Sequence, residues 1–241
     1  MAEASPQFAV EDLGRMPYAA ALAVQRDRHE AMVAARADAP PHRILLVEHD
    51  PPVVTVTRRQ GARDHVLASP EQLARAGVEL HETDRGGDVT WHGPGQLVAY
   101  PIVDLQRLGL GIHAYIRALE EAIIGTCGAW GVEAHREEGA TGVWTGGPGA
   151  GARKVAAIGV RVSRWVTMHG LALNVRPDLA QFGLIVPCGL HGRPVTSIAA
   201  ERGRRGDAMV PGMDDARREL VPRLIASLTR PSETVPSSRR G

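Results

Sequence analysis

Three pairs of short, strand-prone apolar runs, each pair parted by a tight turn, constrain this chain more than any other feature. Runs 44–48 and 53–57 flank Asp50-Pro51-Pro52, and runs 89–91 and 97–100 flank His92-Gly93-Pro94-Gly95-Gln96. Runs 154–162 and 165–175 flank Ser163-Arg164, which reads as a hairpin. Helical periodicity falls between these pairs without a regular strand–helix–strand order. Residues 17–37 place Leu22, Arg26, His29 and Val33 near one face of a helix stopped by Pro40-Pro41. Residues 69–77 read as a short helix with Ser69 as cap and Pro70 at the first position. Residues 112–130 repeat Ile112, Tyr115, Ile116, Leu119, Ile123 and Cys127 at three- and four-residue steps. Residues 213–228 carry Leu220, Val221, Leu224, Ile225 and Leu228, with Pro222 blurring the start, and Asp178 is placed to cap a short turn reaching Phe182. The pattern predicts an α+β fold with mixed, largely antiparallel sheets flanked by helices.

The 241 residues suffice for one domain over 1–230, and the polar end, 231–241, is expected to be disordered. A net charge of +1 points to neither nucleic acid nor a membrane surface. Two distant cysteines do not make a disulfide framework, the N-terminus shows no apolar leader, and no apolar stretch reaches membrane-spanning length. The expectation is a cytoplasmic protein. Cys127 belongs to the apolar stripe of its helix and reads as core.

Cys188 remains. It sits in Ile185-Val186-Pro187-Cys188-Gly189-Leu190, where Pro187 stiffens the approach and Gly189 leaves space beyond. A thiolate is the strongest protein nucleophile near neutral pH once something takes its proton. Three segments bear on that. Asp84-Arg85-Gly86-Gly87-Asp88-Val89-Thr90-Trp91-His92 combines glycines with donors, but it fits no nucleotide fingerprint and reads equally as two tight turns on a sheet. Lys154 opens the apolar strand Val155-Ala156-Ala157-Ile158-Gly159, where a lysine either reaches solvent or, if desolvated, exchanges protons. His169, in His169-Gly170-Leu171-Ala172-Leu173-Asn174, is open to reading as a ligand, a base or a satisfied strand histidine. Zinc on His169, Cys188 and His191 lacks the paired-ligand spacing of structural sites, so no metal is expected.

Together these segments resemble the lipoyl(octanoyl) transferases, which share a fold with biotin and lipoate protein ligases. The likeness rests on Asp84-Arg85-Gly86-Gly87, Thr90-Trp91-His92-Gly93-Pro94-Gly95-Gln96, Gly142-Val143-Trp144, Lys154 to Val162, His169 to Val175, Pro187-Cys188-Gly189 and Val195-Thr196-Ser197, in the family's order. The resemblance implies a single catalytic domain that moves an octanoyl group from octanoyl-acyl carrier protein to a lysine. The acceptors it implies are lipoyl domains of 2-oxoacid dehydrogenase E2 subunits and the glycine cleavage H protein. It implies no cofactor, no nucleic acid and no membrane partner. By position, Cys188 is the nucleophile that carries the acyl thioester and Lys154 its activator. Arg85, Gly86, Gly87, Asp88, Val89, Thr90, Trp91 and His92, with Ala157, Ile158, Gly159, Gly170, Leu171 and Ala172, are the implied acyl-site residues. Arg58-Arg59, Arg193, Arg202 and Arg204-Arg205 are candidates to steer an acidic donor. The chain departs from the family at Thr57, where a glycine is frequent, and at Asp50, an additional residue between His49 and Pro51. Two rival readings are an ATP-dependent ligase of the same fold, which has no use for Cys188, and a non-catalytic acyl-binding module.

Overall fold

The computed structural model describes residues 8–35, 40–187, 193–207 and 209–229. Its elements run β1 (Phe8–Met16), α1 (Tyr18–Ala35), β2 (His42–His49), β3 (Val53–Thr57), α2 (Pro70–Arg75), β4 (Glu79–Thr83), β5 (Val89–His92) and β6 (Gln96–Ile102). They continue with α3 (Ile112–Ala129), β7 (Ala134–Glu137), β8 (Ala140–Thr145), β9 (Arg153–Ser163), β10 (Val166–Asn174), α4 (Ile198–Arg204) and α5 (Met213–Thr229). Seven strands form a large sheet in the order β1-β2-β6-β10-β9-β8-β7, and β4-β3-β5 form a small one. Among the described residues only the β1–β2 and β3–β4 strand pairs are parallel, so the α+β, largely antiparallel expectation holds.

The period of two in the central strands explains the layers. One face of the large sheet, with Ile44, Leu46, Leu97, Leu171 and Leu173, packs under Leu119 and Ile123 of α3 and Leu220, Leu224 and Leu228 of α5. The other face, with Leu45, Val47, Val98, Tyr100 and Ala172, packs under Tyr18, Ala21, Leu22 and Met32 of α1. Each large side chain so buried stabilises the fold by about 1.5–3 kcal/mol. Val54, Val56, Val89 and Trp91 of the small sheet enclose a third core with Leu73, Phe182 and Ile185.

Local signals behave as their chemistry requires. Ser69 caps α2 by accepting from Gln72 N–H at 3.3 Å, while Gln72 Oε1 accepts from Ser69 N–H at 2.7 Å. Asp178 accepts from Ala180 N–H at 3.0 Å and starts a 3₁₀ turn, Leu179–Leu184. Helix α5 runs through Pro222 without ending. The α1 stripe is rotated from its expected position: Gln25 and Met32 are buried where the sequence suggested Arg26 and Val33. Strands β1, β4, β7 and β8 and helix α4 were not anticipated. Residues 231–241 lie outside the described residues, and no helix among those described is long and apolar enough to cross a membrane.

Candidate functional site

On the α1 face, three central strands make the floor of a pocket. Ala157 of β9 pairs with Ala172 of β10, which pairs with Val98 of β6. Two residues further on, Gly159 pairs with Gly170. Small side chains in these rows leave a trough where larger ones would fill it. Val98 and Tyr100, Ile158 and Leu171 complete the sheet-side lining, and Tyr18, His169, Arg85, Gly87, Thr90 and His92 supply the walls.

The loop between β4 and β5 is bound down onto this floor. Gly86 N–H donates to Val160 O at 2.8 Å. A β carbon on Gly159 would stand 2.9 Å from Gly86 O and 3.0 Å from Arg85 Cδ, so only glycine permits this approach. Arg85 Nη2 donates to Thr55 O, Thr55 Oγ1 and Asp88 O at 3.0–3.2 Å, so the guanidinium holds the loop in shape. Thr57, the departure from the resembled family, donates its hydroxyl to Gly87 O at 3.1 Å and ties β3 to the same loop. Asp88 is buried and lies 2.8 Å from His65 Nδ1. Val89 and Trp91 face the small-sheet core, where Trp91 Nε1 donates to Gln181 Oε1 at 3.0 Å. Gly86, Asp88, Val89 and Trp91 thus support the wall, whereas ten of the fourteen implied acyl-site residues line the pocket itself.

Lys154 reaches the pocket face through an irregularity that alternation does not predict. Val143 pairs with Ala156 and Trp144 with Lys154, so one step on β8 spans two on β9, and Val155 is the additional residue. In a regular strand Lys154 would share a face with Ala156 and Ile158, away from Ala157 and Gly159. The bulge turns it to the side of Ala157 and Gly159. There it is 6% exposed, with Nζ 5.0 Å from the centroid of Trp144. Gly142, at φ 119°, leaves the room: a β carbon there would stand 2.7 Å from Lys154 Cε. Lys154 N–H donates to Pro194 O and Lys154 O accepts from Thr196 N–H, both at 2.9 Å, so the chain that follows Cys188 returns alongside Lys154. Cys188 itself, like His191, lies outside the described residues.

A buried polar chain joins three motifs at this end. His92 Nδ1 donates to Gln96 Oε1 at 2.7 Å, Gln96 Nε2 donates to Asn174 Oδ1 at 2.8 Å, and Asn174 Nδ2 donates to Thr196 O at 2.9 Å. Since an amide oxygen only accepts, Nδ1 of His92 carries the proton and Nε2 a lone pair. Burial holds the pKa of His92 well below the usual histidine range, so the ring is neutral. Glu48 fixes the turn by accepting from Gly95 N–H at 2.9 Å and pairing with Arg15 at 2.9 Å.

Two further histidines lie beside the pocket. His49 Nδ1 donates to Met16 O at 3.3 Å, and its Nε2 accepts from Tyr100 Oη at 2.7 Å. Burial pushes the His49 pKa down to about 4. His169 Nε2 bonds to Asp84 Oδ1 at 2.9 Å, and Asp84 pairs with Arg161 at 2.8 Å. Of the readings open for His169, the satisfied one matches this arrangement. No group of three or more His, Cys, Asp or Glu among the described residues is placed to hold a metal. The sequence motifs do not mark Tyr18, Val98 or Tyr100 as pocket residues, and they leave the role of His169 open. The alternation Leu97-Val98-Ala99-Tyr100 carried a signal for two of them, but nothing local marks Tyr18.

Residues 17–218 match the family profile described as the lipoyl protein ligase A/B catalytic domain. An octanoyltransferase from Bacteroides fragilis (strain YCH46) is 45% identical over 215 residues, covering 88% of this chain and 94% of that protein. An octanoyltransferase from Acidobacterium capsulatum is 51% identical over 197 residues, covering 78% of each. Among solved structures, the chain is similar to a bi-partite lipoate protein ligase from Thermoplasma acidophilum, described with its E2 lipoyl domain. The TM-score is 0.66 at 16% identity, covering 94% of this chain and 84% of that one, a likeness of fold.

Proposed function

Because the chain belongs to the lipoyl protein ligase A/B catalytic domain family and is an acyltransferase, we propose that it moves octanoyl groups through a thioester on Cys188. The donor is octanoyl-acyl carrier protein. The acceptor is a lysine of lipoyl domains in 2-oxoacid dehydrogenase E2 subunits and in the glycine cleavage H protein. The observation that carries the reading is a buried lysine, turned by a bulge to the trough's side of the sheet and lying next to the chain that follows Cys188.

The chemistry balances without a nucleotide. Lys154 takes the Cys188 proton, the sulfur attacks the donor thioester, and the donor thiolate leaves with that proton. One thioester replaces another, so the step is nearly neutral in free energy. The acceptor amine then attacks the Cys188 thioester. Its proton passes by way of Lys154 to the departing Cys188 sulfur, and an amide forms downhill. Covalent capture lets one protein client leave before the next arrives. Each tetrahedral intermediate carries an oxyanion, and a well-placed backbone N–H is worth roughly 3 kcal/mol there. The acyl chain gains about 0.8 kcal/mol for each CH₂ buried in the trough.

The test mixes the purified chain with octanoyl-acyl carrier protein and a lipoyl domain, without nucleotide. Amide-linked octanoyl on the lipoyl-domain lysine is expected. A requirement for ATP, with pyrophosphate exchange, would replace this reading with a ligase.

A further inference from the structure

We infer that His169 is the stop that sets the length of acyl chain the pocket accepts, an inference that rests on reading the pocket as the acyl site. Four observations lead there.

The first is length. Along the floor, the Gln96–Asn174 pair lies level with the bulge that carries Lys154, and the Gly159–Gly170 pair lies four residues further. Four residues of strand span about 13 Å. An eight-carbon chain, at about 1.2 Å per bond of extended chain, spans about 9 Å. A chain held at Lys154 therefore ends about 4 Å short of the Gly159–Gly170 row, so a chain longer by three or more methylenes would run into that row and the residue beyond it. His169 is the next residue of β10 beyond that row.

The second is direction. Alternation along β10 would aim His169 at the α3 face with Leu171 and Leu173, which do pack there. His169 instead has φ 58°, an uncommon conformation for a residue with a side chain, and it lines the pocket.

The third is rigidity. His169 is 2% exposed. Its N–H donates to Gln25 Oε1 at 2.9 Å, its Nε2 meets Asp84 at 2.9 Å, and Arg161 holds Asp84 at 2.8 Å. The Tyr100 ring meets it edge-on, with centroids 6.4 Å apart. A ring fixed from so many sides does not swing away to admit more chain. The fourth is chemistry. A polar ring ends a floor of Val98, Ala157 and Ala172, so further methylenes would meet a hydrogen-bonded imidazole rather than apolar cover.

The test offers the enzyme equal amounts of octanoyl-, decanoyl- and dodecanoyl-acyl carrier protein with one lipoyl domain and reads product masses. His169→Gly suits the left-handed backbone and removes the ring. It should raise the dodecanoyl-to-octanoyl product ratio about tenfold or more, the worth of two CH₂ groups buried beyond the Gly159–Gly170 row. His169→Asn, which also tolerates that backbone and keeps a polar group near Asp84, should shift the ratio less. Should His169→Gly melt as an unfolded chain, the His169→Asn ratio decides: a rise supports the stop and no change overturns it. An unchanged ratio in a folded His169→Gly that transfers octanoyl overturns the inference and leaves the proposed activity standing. Failure of the wild type to transfer any acyl group overturns the activity itself, and the stop with it.

Discussion

Environment marks Cys127 as a packing thiol. Cys127 is wholly buried in the α3 core, and burial pushes its thiol up to about 12, leaving almost no thiolate near neutral pH. Limited alkylation at neutral pH should therefore modify Cys188 and spare Cys127, as peptide mass mapping would show. Lys154→Arg keeps the positive charge but cannot give up a proton. Transfer should fall about 10²–10⁴-fold while the melting temperature holds, and near-normal turnover would remove Lys154 as the base. His49 gives a pH prediction with a definite sign. Its folded pKa is depressed to about 4, so between about 6.5 and 4 the unfolded chain binds the proton that the folded one refuses. Its contribution is intact above about pH 6.5 and is lost as pH falls through that window. Denaturant midpoints should drop from pH 7 to pH 5, and His49→Gln should flatten the drop. A midpoint that rises on acidification would contradict the buried, neutral assignment.

Among the elements, the edge of β8 against β9 does most to place Lys154. Gly142→Ala puts a methyl group on Lys154 Cε and forces alanine to φ 119°, which costs on the order of 1–3 kcal/mol. Transfer should fall more steeply than denaturation stability, and a variant with unchanged activity would show that Lys154 does not depend on this gap. Gln96→Ala leaves His92 Nδ1 and Asn174 Oδ1 without their partner in the core, at a cost of about 1–3 kcal/mol measurable by chemical denaturation. The long helices and the floor strands were legible because 3.6-residue and two-residue periods survive in single segments such as Ile112–Ala129 and Val166–Asn174. Strand β1 was not: Phe8–Met16 mixes acids and glycine, and its only strand partner among the described residues is parallel β2, contributed by residues 42–49. The Val155 bulge was equally invisible, because Arg153–Ser163 reads as an unbroken run and only its pairing with β8 reveals the additional residue. The motifs name residues of which ten line the pocket, but the division between pocket lining and wall support depends on which sheet each strand joins.

Across the whole molecule, the proposed scheme has one pocket serve two protein clients in turn. Initial-rate plots against donor and acceptor should give the parallel lines of a ping-pong scheme, and intersecting lines would require both clients at once. The net charge of +1 hides local differences. Arg202 donates to Trp130 O and pairs with Asp207, Arg205 reaches Gly131 O, and Arg193 pairs with Glu137 at 3.2 Å. Arg58 and Arg59 remain exposed before the segment whose Leu67 and Ala68 N–H groups donate to Leu184 O, close in the chain to Cys188. If an acidic donor is steered there, added salt should raise its KM and leave kcat unchanged; a salt-independent KM would argue against steering. The central claim remains the covalent passage of the acyl group through one sulfur. Incubating the chain with octanoyl-acyl carrier protein alone and mapping the adduct by peptide mass spectrometry tests it most directly. One octanoyl group on the peptide containing Cys188 is the predicted result, and an adduct on Cys127, or none while transfer to a lipoyl domain proceeds, would contradict it.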